Sequence, residues 1–298
     1  MKDTIKLVLI LIIVGFLQFV EIQTFDVYQE PARKDIIDPP TNGTYPDYYS
    51  FYDGAYGNAG SLEGTTVIIS IFANDPNYKW DYTSNKDLDI IDDALKRLGV
   101  ATDYLTKAAS MYSKKATFYY DWKKYTDLAY QTSFRDKIVR PDGGAYQVQS
   151  SWITNNIDLK TLKNKYKADN FVFLFFLNTD VSNEHNPWTL ASSSCPTCKI
   201  EYSNIFIGFD GFISPTATYA HEILHQFGAP DLYYRNNVIP EEYVNYLRNT
   251  NSKDIMFTVN DGMNITVEFT PLDAYYVGIG PMPSTVSEWH LGYNERAY

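Results

Sequence analysis

Residues 218–234, TYAHEILHQFGAPDLYY, restrict the fold more than any other stretch of the chain. Ser214, followed by a proline, suits a helix start with the serine as N-cap, and the apolar spacing that follows predicts a helix. His221 and His225 are four residues apart and therefore lie one turn apart on the same face. Gly228 predicts the helix end, because glycine adopts a positive φ angle without steric strain.

The same residue types predict a metal site. Two imidazoles one turn apart can reach one metal ion, and the turn at Gly228 can bring Asp231 back toward it. Glu222 flanks the first histidine and can reach a water at the metal without being a ligand. Two histidines, one carboxylate and an open position suit a single catalytic Zn²⁺ ion. The pattern predicts metal-assisted hydrolysis, with His221, His225 and Asp231 as ligands and Glu222 as general base.

Two alternatives to this ligand set remain open at the level of the sequence. An amphipathic helix with surface histidines would show the same spacing without a metal. Glu241 or Glu242, at a predicted helix start, could replace Asp231 as the third ligand, although acidic residues also favour a first helical turn. The other two histidines, His185 and His290, are predicted to be surface or loop residues.

The motif HEILHQFGAPD fits the pattern HExxHxxGxxD, and it resembles a variant of the metzincin zinc-protease signature in which Asp replaces the third His. It is similar to the snapalysin and immune inhibitor A types, and the resemblance covers roughly residues 218–280. The sequence KDIM, residues 253–256, resembles the turn with a buried methionine that supports the metal site in this family. The alternative for Met256 is an ordinary methionine of the core.

The resemblance implies an α+β, metzincin-like zincin fold. This fold has a mixed twisted sheet with helices in an N-terminal lobe, an active-site helix, and a small C-terminal lobe with the methionine turn and a helix. Some metzincins place a tyrosine two residues after the methionine, whereas this chain has Thr258 there. Tyr233 or Tyr234, or alternatively Tyr275 or Tyr276, could make the transition-state or substrate contact instead.

Outside the motif, strands and helices alternate, which predicts an α/β or α+β lobe before the active-site helix. Continuous apolar or β-branched runs predict strands, and apolar residues at helical spacing predict helices. The predicted strands are 65–75, 116–122, 171–177 and 199–211, and the predicted helices are 86–113 with an interruption near Gly99, 157–168, 241–248 and 271–278.

The N-terminus predicts export of the chain. Two lysines precede an apolar run over residues 7–20, which is typical of a secretory signal or a short membrane anchor. No small-residue cleavage site follows, so both interpretations remain open. The predicted organisation is a signal peptide or membrane anchor over 1–22, a flexible linker over 23–64 and a zinc metalloprotease domain over 65–298. The expected location is extracytoplasmic, either secreted or anchored at the cell membrane.

Charge and cysteine content narrow the set of partners. A formal net charge of −11 disfavours a nucleic-acid partner, because a field of that sign repels phosphate backbones. The expected partner is a protein or peptide substrate, with a membrane tether through residues 7–20. Cys195 and Cys198, the only cysteines, favour a local disulfide over a redox pair or half of a zinc site. Asn42 and Asn264 match the N-glycosylation pattern.

Two functions from different classes are compatible with these features. The first is a secreted or membrane-anchored zinc-dependent endopeptidase. The second is a surface-anchored binding protein on a vestigial protease fold, which the anchor and the Tyr-rich linker favour. The complete set of His221, Glu222, His225 and Asp231 argues against the second, because a degenerate site typically loses its general base first. A zinc hydrolase acting on a non-peptide amide would need the same residues.

Overall fold

The structure, a computed structural model, describes residues 59–139, 148–179, 191–193, 200–209, 212–236 and 238–292. The predicted signal or anchor, most of the predicted linker, and His185, Cys195 and Cys198 lie outside these residues, so the predictions made for them stay predictions. Among the helices of the described part, none is both long enough and apolar enough to cross a membrane.

The N-terminal half of the domain is built on a mixed six-stranded sheet. The strand order is β2-β1-β4-β6-β5, and β3 also pairs with β1. All pairs are parallel except β5 with β6, which places one antiparallel strand at the edge. A separate two-stranded hairpin, β7-β8, follows. The strands are β1 Gly64–Asn74, β2 Ala116–Tyr119, β3 Ala129–Ser133, β4 Asn170–Leu177, β5 Ala191–Ser193, β6 Ser203–Phe206, β7 Gly208–Phe209 and β8 Phe212–Ile213.

The two central strands explain why helices cover both faces of the sheet. Every residue of β4 is buried, so this strand needs apolar partners on each side. In β1 and β4 the even-numbered apolar side chains pack with α1 and α4, whereas the odd-numbered ones pack with α2 and α3. The helices are α1 Asn85–Met111, α2 Val148–Asn156, α3 Leu159–Tyr166, α4 Thr216–Gln226, α5 Glu241–Asn249, α6 Pro271–Tyr276 and α7 Ser284–Glu288.

The expectation of a mixed sheet with helices before the motif helix is confirmed, and several element bounds differ from the prediction. α1 runs through Gly99 without interruption. A Cβ atom added at Gly99 would lie 3.1 Å from the Tyr120 hydroxyl, so glycine there allows close packing rather than ending the helix. The strand predicted over 199–211 is divided between β6 and the hairpin strand β7.

The elements that sequence patterns did not predict have weak local signals. β3, with the sequence AYQTS, has no continuous apolar run, and α2, with VQSSWITNN, has no clear apolar stripe. Both become regular because partners from distant parts of the chain supply their pairing or packing. β3 pairs with β1 over Ser70–Asn74, and α2 contributes Trp152 and Ile153 to the core.

Ordered packing begins before the predicted domain boundary at residue 65. Ala59 and Leu62 are buried. The Ala59 N–H donates to the Gln226 carbonyl at 3.0 Å, and the Leu62 N–H donates to the Val277 carbonyl at 2.9 Å. The last residues of the predicted linker therefore join the end of α4 to the segment after α6.

Candidate metal centre

The helix α4, Thr216–Gln226, carries the predicted site and lies inside the domain. It is buried on nearly all sides, and it packs against α1 and under the sheet. Ser214 is not its N-cap, as the sequence had suggested. The cap position is Pro215, and the Ser214 hydroxyl donates instead to the Phe206 carbonyl. Because the helix is buried, its two histidines and Gln226 have their hydrogen-bond partners inside the protein.

Gln226 anchors the C-terminal end of α4 to the sheet, a role that sequence reasoning missed. Its side-chain oxygen accepts from the Phe173 N–H at 2.9 Å, and its Nε2 donates to the Phe173 carbonyl at 3.0 Å. β6 first pairs with β4 at Leu174, so the Gln226 amide replaces a strand residue at the next ladder position. The only local signal was a polar residue on a helix that proved to be buried.

Gly228 provides the predicted turn after α4. Its φ angle is 100°, a value that disfavours residues with a side chain. The Gly228 N–H donates to the His225 carbonyl at 2.7 Å, and the Ala229 N–H donates to the Leu224 carbonyl at 3.1 Å. These bonds satisfy carbonyls at the helix end, and they return the chain to the histidine face.

Three predicted ligand side chains meet at one point. The Nε2 atoms of His221 and His225 are 3.0 Å apart. The Asp231 Oδ1 atom lies 3.2 Å from the first nitrogen and 3.1 Å from the second. Ligand atoms on a tetrahedral zinc, at about 2.0–2.1 Å from the ion, are roughly 3.3 Å from one another. The three atoms therefore have nearly the spacing that one zinc ion requires.

Backbone carbonyls fix which nitrogen of each histidine faces this point. His221 Nδ1 lies 2.8 Å from the Ile255 carbonyl, and His225 Nδ1 lies 2.7 Å from the Ala229 carbonyl. A carbonyl only accepts, so each Nδ1 carries a hydrogen and each neutral ring presents a bare Nε2. Two nitrogen lone pairs and a carboxylate oxygen then converge, and a bound cation would satisfy all three. The residues fit a metal ion of the zinc type.

A proton can also satisfy the three acceptors when no metal is bound. Burial by itself would lower the pKa of His225, but the adjacent Asp231 carboxylate outweighs it and raises the pKa to about 10. Burial opposes ionisation of Asp231, yet the charge on His225 and hydrogen bonds from both histidines hold its pKa well below the usual range. A proton and a metal ion would therefore compete for His225.

We expect zinc binding at pH 7 to release about one proton, because His225 must be neutral to act as a ligand. The apparent zinc affinity should rise by about tenfold per pH unit up to the pKa of His225, about 10. Isothermal calorimetry in two buffers with different ionisation enthalpies measures the released proton. The variant Asp231→Asn, which lacks the negative charge, should release less. Release of no proton by the unaltered chain would contradict this assignment.

Glu222 lies beside the three candidate ligands but is not one of them. Glu222 is 5% exposed. Its negative charge contributes to the raised pKa values of His225, Tyr233 and Tyr234. Its position next to His221 on α4 follows directly from the helical register. The structure thus places a buried carboxyl group within electrostatic reach of the three candidate ligands.

Tyr233 and Tyr234 stand at the edge of the metal group. Both are about half exposed, and both phenols lie within hydrogen-bonding reach of the Asp231 carboxylate. The Tyr233 ring stacks on the His221 ring with a centroid distance of 6.2 Å. Burial and then the Asp231 charge raise the pKa of Tyr234 to about 12 and that of Tyr233 further. Both phenols therefore stay protonated and can donate hydrogen bonds near the site.

The alternative tyrosines and ligands lie elsewhere in the described structure. Tyr275 and Tyr276 are buried in the core, and the Tyr276 hydroxyl donates to the Gly292 carbonyl at 2.9 Å. Glu241 and Glu242 are exposed in the first turn of α5, and neither belongs to the group of potential ligands. His290 is exposed, as predicted.

Met256 belongs to a turn that supports two of the three candidate ligands. It is fully buried, and its carbonyl accepts from the N–H of Leu232, the residue after Asp231, at 2.9 Å. The preceding carbonyl, of Ile255, is the one that orients His221. Met256 is therefore a core residue in a turn that touches the metal centre from below.

Comparison of the chain with known proteins identified no related protein. No protein-family model matches the chain, and neither a curated protein nor a solved structure shows significant similarity to it. The geometry of the site and the motif are therefore the features that indicate a function.

Proposed function

We propose that this chain is a zinc-dependent endopeptidase with a metzincin-like domain. The observation that carries the proposal is the meeting of two Nε2 atoms and one carboxylate oxygen within 3.2 Å of one another. Three convergent acceptors in a buried site need a shared positive charge, which is either a proton on His225 or a metal ion. Glu222, next to these acceptors, supplies the base that hydrolysis needs.

His221, His225 and Asp231 would hold the ion in this proposal. Zinc, when bound, supplies a Lewis acid that polarises a carbonyl and lowers the pKa of a water molecule. The carbonyls of Ile255 and Ala229 keep both imidazoles oriented, so little reorganisation is needed on binding. Asp231 adds a negative charge to the ligand set, which lowers the cost of placing a divalent cation in a buried position.

Glu222 performs the proton transfers in the proposed reaction. Its carboxylate takes a proton from the attacking water and later gives that proton to the nitrogen of the departing amine. The phenol groups of Tyr233 and Tyr234, which stay protonated, can donate hydrogen bonds to the oxygen on which negative charge develops. Their exposure at the rim of the site leaves them accessible to a substrate.

Several features of the fold support a metzincin-like domain. The sheet is mixed with an antiparallel edge strand, α4 lies under it, and the chain continues into the turn at Met256 and the helix α6. A turn with a buried methionine and a following helix in this order is what the motif resemblance implies. A peptide substrate is the favoured substrate class, since that is the activity of the family that the motif resembles.

Export is part of the same proposal. The apolar run over residues 7–20 would direct the chain across a membrane, as a secretory signal or as a retained anchor. The active domain would then meet its protein or peptide substrates outside the cytoplasm.

Metal content and proteolysis, measured on the purified full-length chain in mild detergent, test this function. We expect about one zinc per chain by mass spectrometry, and cleavage of an unfolded protein substrate that stops with a chelator and returns with zinc. Cleavage that persists after complete metal removal would contradict the proposal. Zinc binding without cleavage of any protein or peptide would instead favour the binding protein on a vestigial protease fold.

A further inference from the structure

Two carboxyl groups, those of Asp254 and Asp273, are buried together beneath the metal centre. Asp254 is 3% exposed and Asp273 is 1% exposed. Thr270 links them, because its hydroxyl donates to Asp254 and its N–H donates to Asp273, and the two carboxyl groups lie within hydrogen-bonding reach of each other. Among the described residues, neither carboxyl forms an ion pair with a lysine or an arginine. A buried pair of this kind keeps one proton, because two carboxylates in contact without a cation repel strongly.

The hydrogen bonds indicate which carboxyl carries the proton. Asp254 Oδ1 accepts from the Met256 N–H at 2.7 Å, and Asp254 Oδ2 accepts from the Thr270 hydroxyl at 2.8 Å. Both Asp254 oxygens therefore act as acceptors. Asp273 accepts from the Thr270 N–H at 2.8 Å with Oδ2 alone, which leaves its other oxygen to carry a hydrogen. Burial raises the pKa of both carboxyls, and the charge on Asp254 raises that of Asp273 further.

The ionisable groups around the pair do not remove the need for this proton. Tyr104, on α1, and Tyr243, on α5, have raised pKa values through burial and through the negative charge of the pair, and they stay neutral. Tyr112 also faces Asp273 and stays neutral, because burial and the Asp273 charge raise its pKa. Glu268 is bridged to Asp254 through the backbone, and its acidic side chain is exposed. His221 is the only group of this set that could be cationic, and a bound metal would require it to be neutral.

Asp254 connects the pair to the metal centre through the turn that it closes. The N–H groups of Phe257 and Thr258 donate to the Asp254 carbonyl at 3.0 and 2.9 Å, while its side chain holds the Met256 N–H. The Ile255 carbonyl between them accepts from His221 Nδ1. A change at the Asp254 carboxyl would therefore move the carbonyl that orients a ligand.

We propose that Asp254 and Asp273 form a proton-sharing carboxyl pair whose role is to position the metal centre. Asp273 donates its hydrogen to the Asp254 carboxylate, and the Asp254 carboxylate holds the turn that orients His221. The pair thus acts through another residue and does not contact substrate. This inference rests on the proposed metal site and extends it to two positioning residues.

The two isosteric variants should give opposite results. Asp273→Asn keeps a donor toward Asp254 and an acceptor for Thr270, so zinc affinity should stay within about threefold of the unaltered chain. Asp254→Asn places an amide N–H where the structure needs only acceptors, and zinc affinity should fall about 10- to 100-fold, as for other partners that orient a ligand. Competition of the full-length protein with a chromophoric zinc chelator measures both affinities.

A second measurement tests the shared proton without metal. The folded protein binds this proton more tightly than the unfolded chain, in which Asp has a pKa of about 3.9. The stabilisation is complete below that pH and is lost as pH rises toward the folded pKa. In metal-free protein, the urea midpoint should therefore fall from pH 4 to pH 7 more steeply in the unaltered chain than in Asp273→Asn.

The outcomes separate this inference from the proposed function. Three results would overturn the proposed carboxyl pair. They are equal losses of zinc affinity in both asparagine variants, an unchanged affinity in Asp254→Asn, and identical urea profiles. If Asp254→Asn does not fold, Asp273→Ala replaces it. Its zinc affinity should be about tenfold weaker than that of Asp273→Asn. Equal zinc affinities of these two variants would overturn the proposed carboxyl pair. Failure of the unaltered chain to bind zinc would overturn the metal site, and the urea profiles would still decide whether the proton is shared.

Discussion

The variant Glu222→Gln is expected to lose peptide hydrolysis by about 10²- to 10⁴-fold while it keeps its zinc. Glutamine has the shape of glutamate but cannot take a proton, so the variant removes the general base alone. This loss corresponds to roughly 3–5 kcal/mol of transition-state stabilisation. Zinc content by mass spectrometry and cleavage of a fluorogenic peptide would be measured on the same preparation.

The matched control for this variant is Glu288→Gln, which alters an exposed glutamate on α7. It should retain both zinc and activity. Unchanged cleavage in Glu222→Gln would remove Glu222 from the reaction. Joint loss of zinc and cleavage would show that Glu222 supports the metal site instead of acting as the base.

The variant Asp231→Asn is expected to weaken zinc binding by more than about 100-fold and to abolish cleavage. The amide is a neutral and poor ligand, so the ion would keep two imidazoles and lose its anionic partner. The loss should exceed the 10- to 100-fold effect of altering a residue that only orients a ligand. In the metal-free protein the same change removes the charge that raises the pKa of His225.

Glu242→Gln is the control that distinguishes the two candidates for the third ligand. Glu242 is exposed at the start of α5. The zinc affinity and activity of Glu242→Gln should therefore equal those of the unaltered chain. The reverse result, with Glu242→Gln losing zinc and Asp231→Asn retaining it, would contradict the ligand set. Chelator competition at fixed pH measures both variants, because proton competition at His225 makes the affinity depend on pH.

Local sequence patterns predicted the elements whose signals are continuous. The buried run in β4 and the helical spacing in α4 each matched the observed element within a few residues. β3 and α2 were not predicted, because their regularity comes from pairing with β1 and from packing in the core. Gly99 was misinterpreted for a similar reason, since only the folded structure shows that Tyr120 packs against it.

The predicted ligand residues came together for reasons that operate over short distances along the chain. The α-helical period places His221 and His225 on one face, and the positive φ angle of Gly228 turns the chain so that Asp231 follows. A sequence window of about a dozen residues contains all of this information. The prediction of Ser214 as the N-cap was wrong, because the Ser214 hydroxyl donates to the carbonyl of Phe206 in β6.

The sequence by itself determined which residues could bind a metal and in what helical register, because an α-helix and a glycine turn are set by local geometry. Only the tertiary structure decided how those residues are held. The Ile255 carbonyl orients His221 from 34 positions away, Gln226 binds the Phe173 backbone 53 positions away, and Asp254 meets Asp273 across a turn and a helix cap. Such partners become neighbours only when the core packs, and no local pattern in the chain encodes which of them will meet.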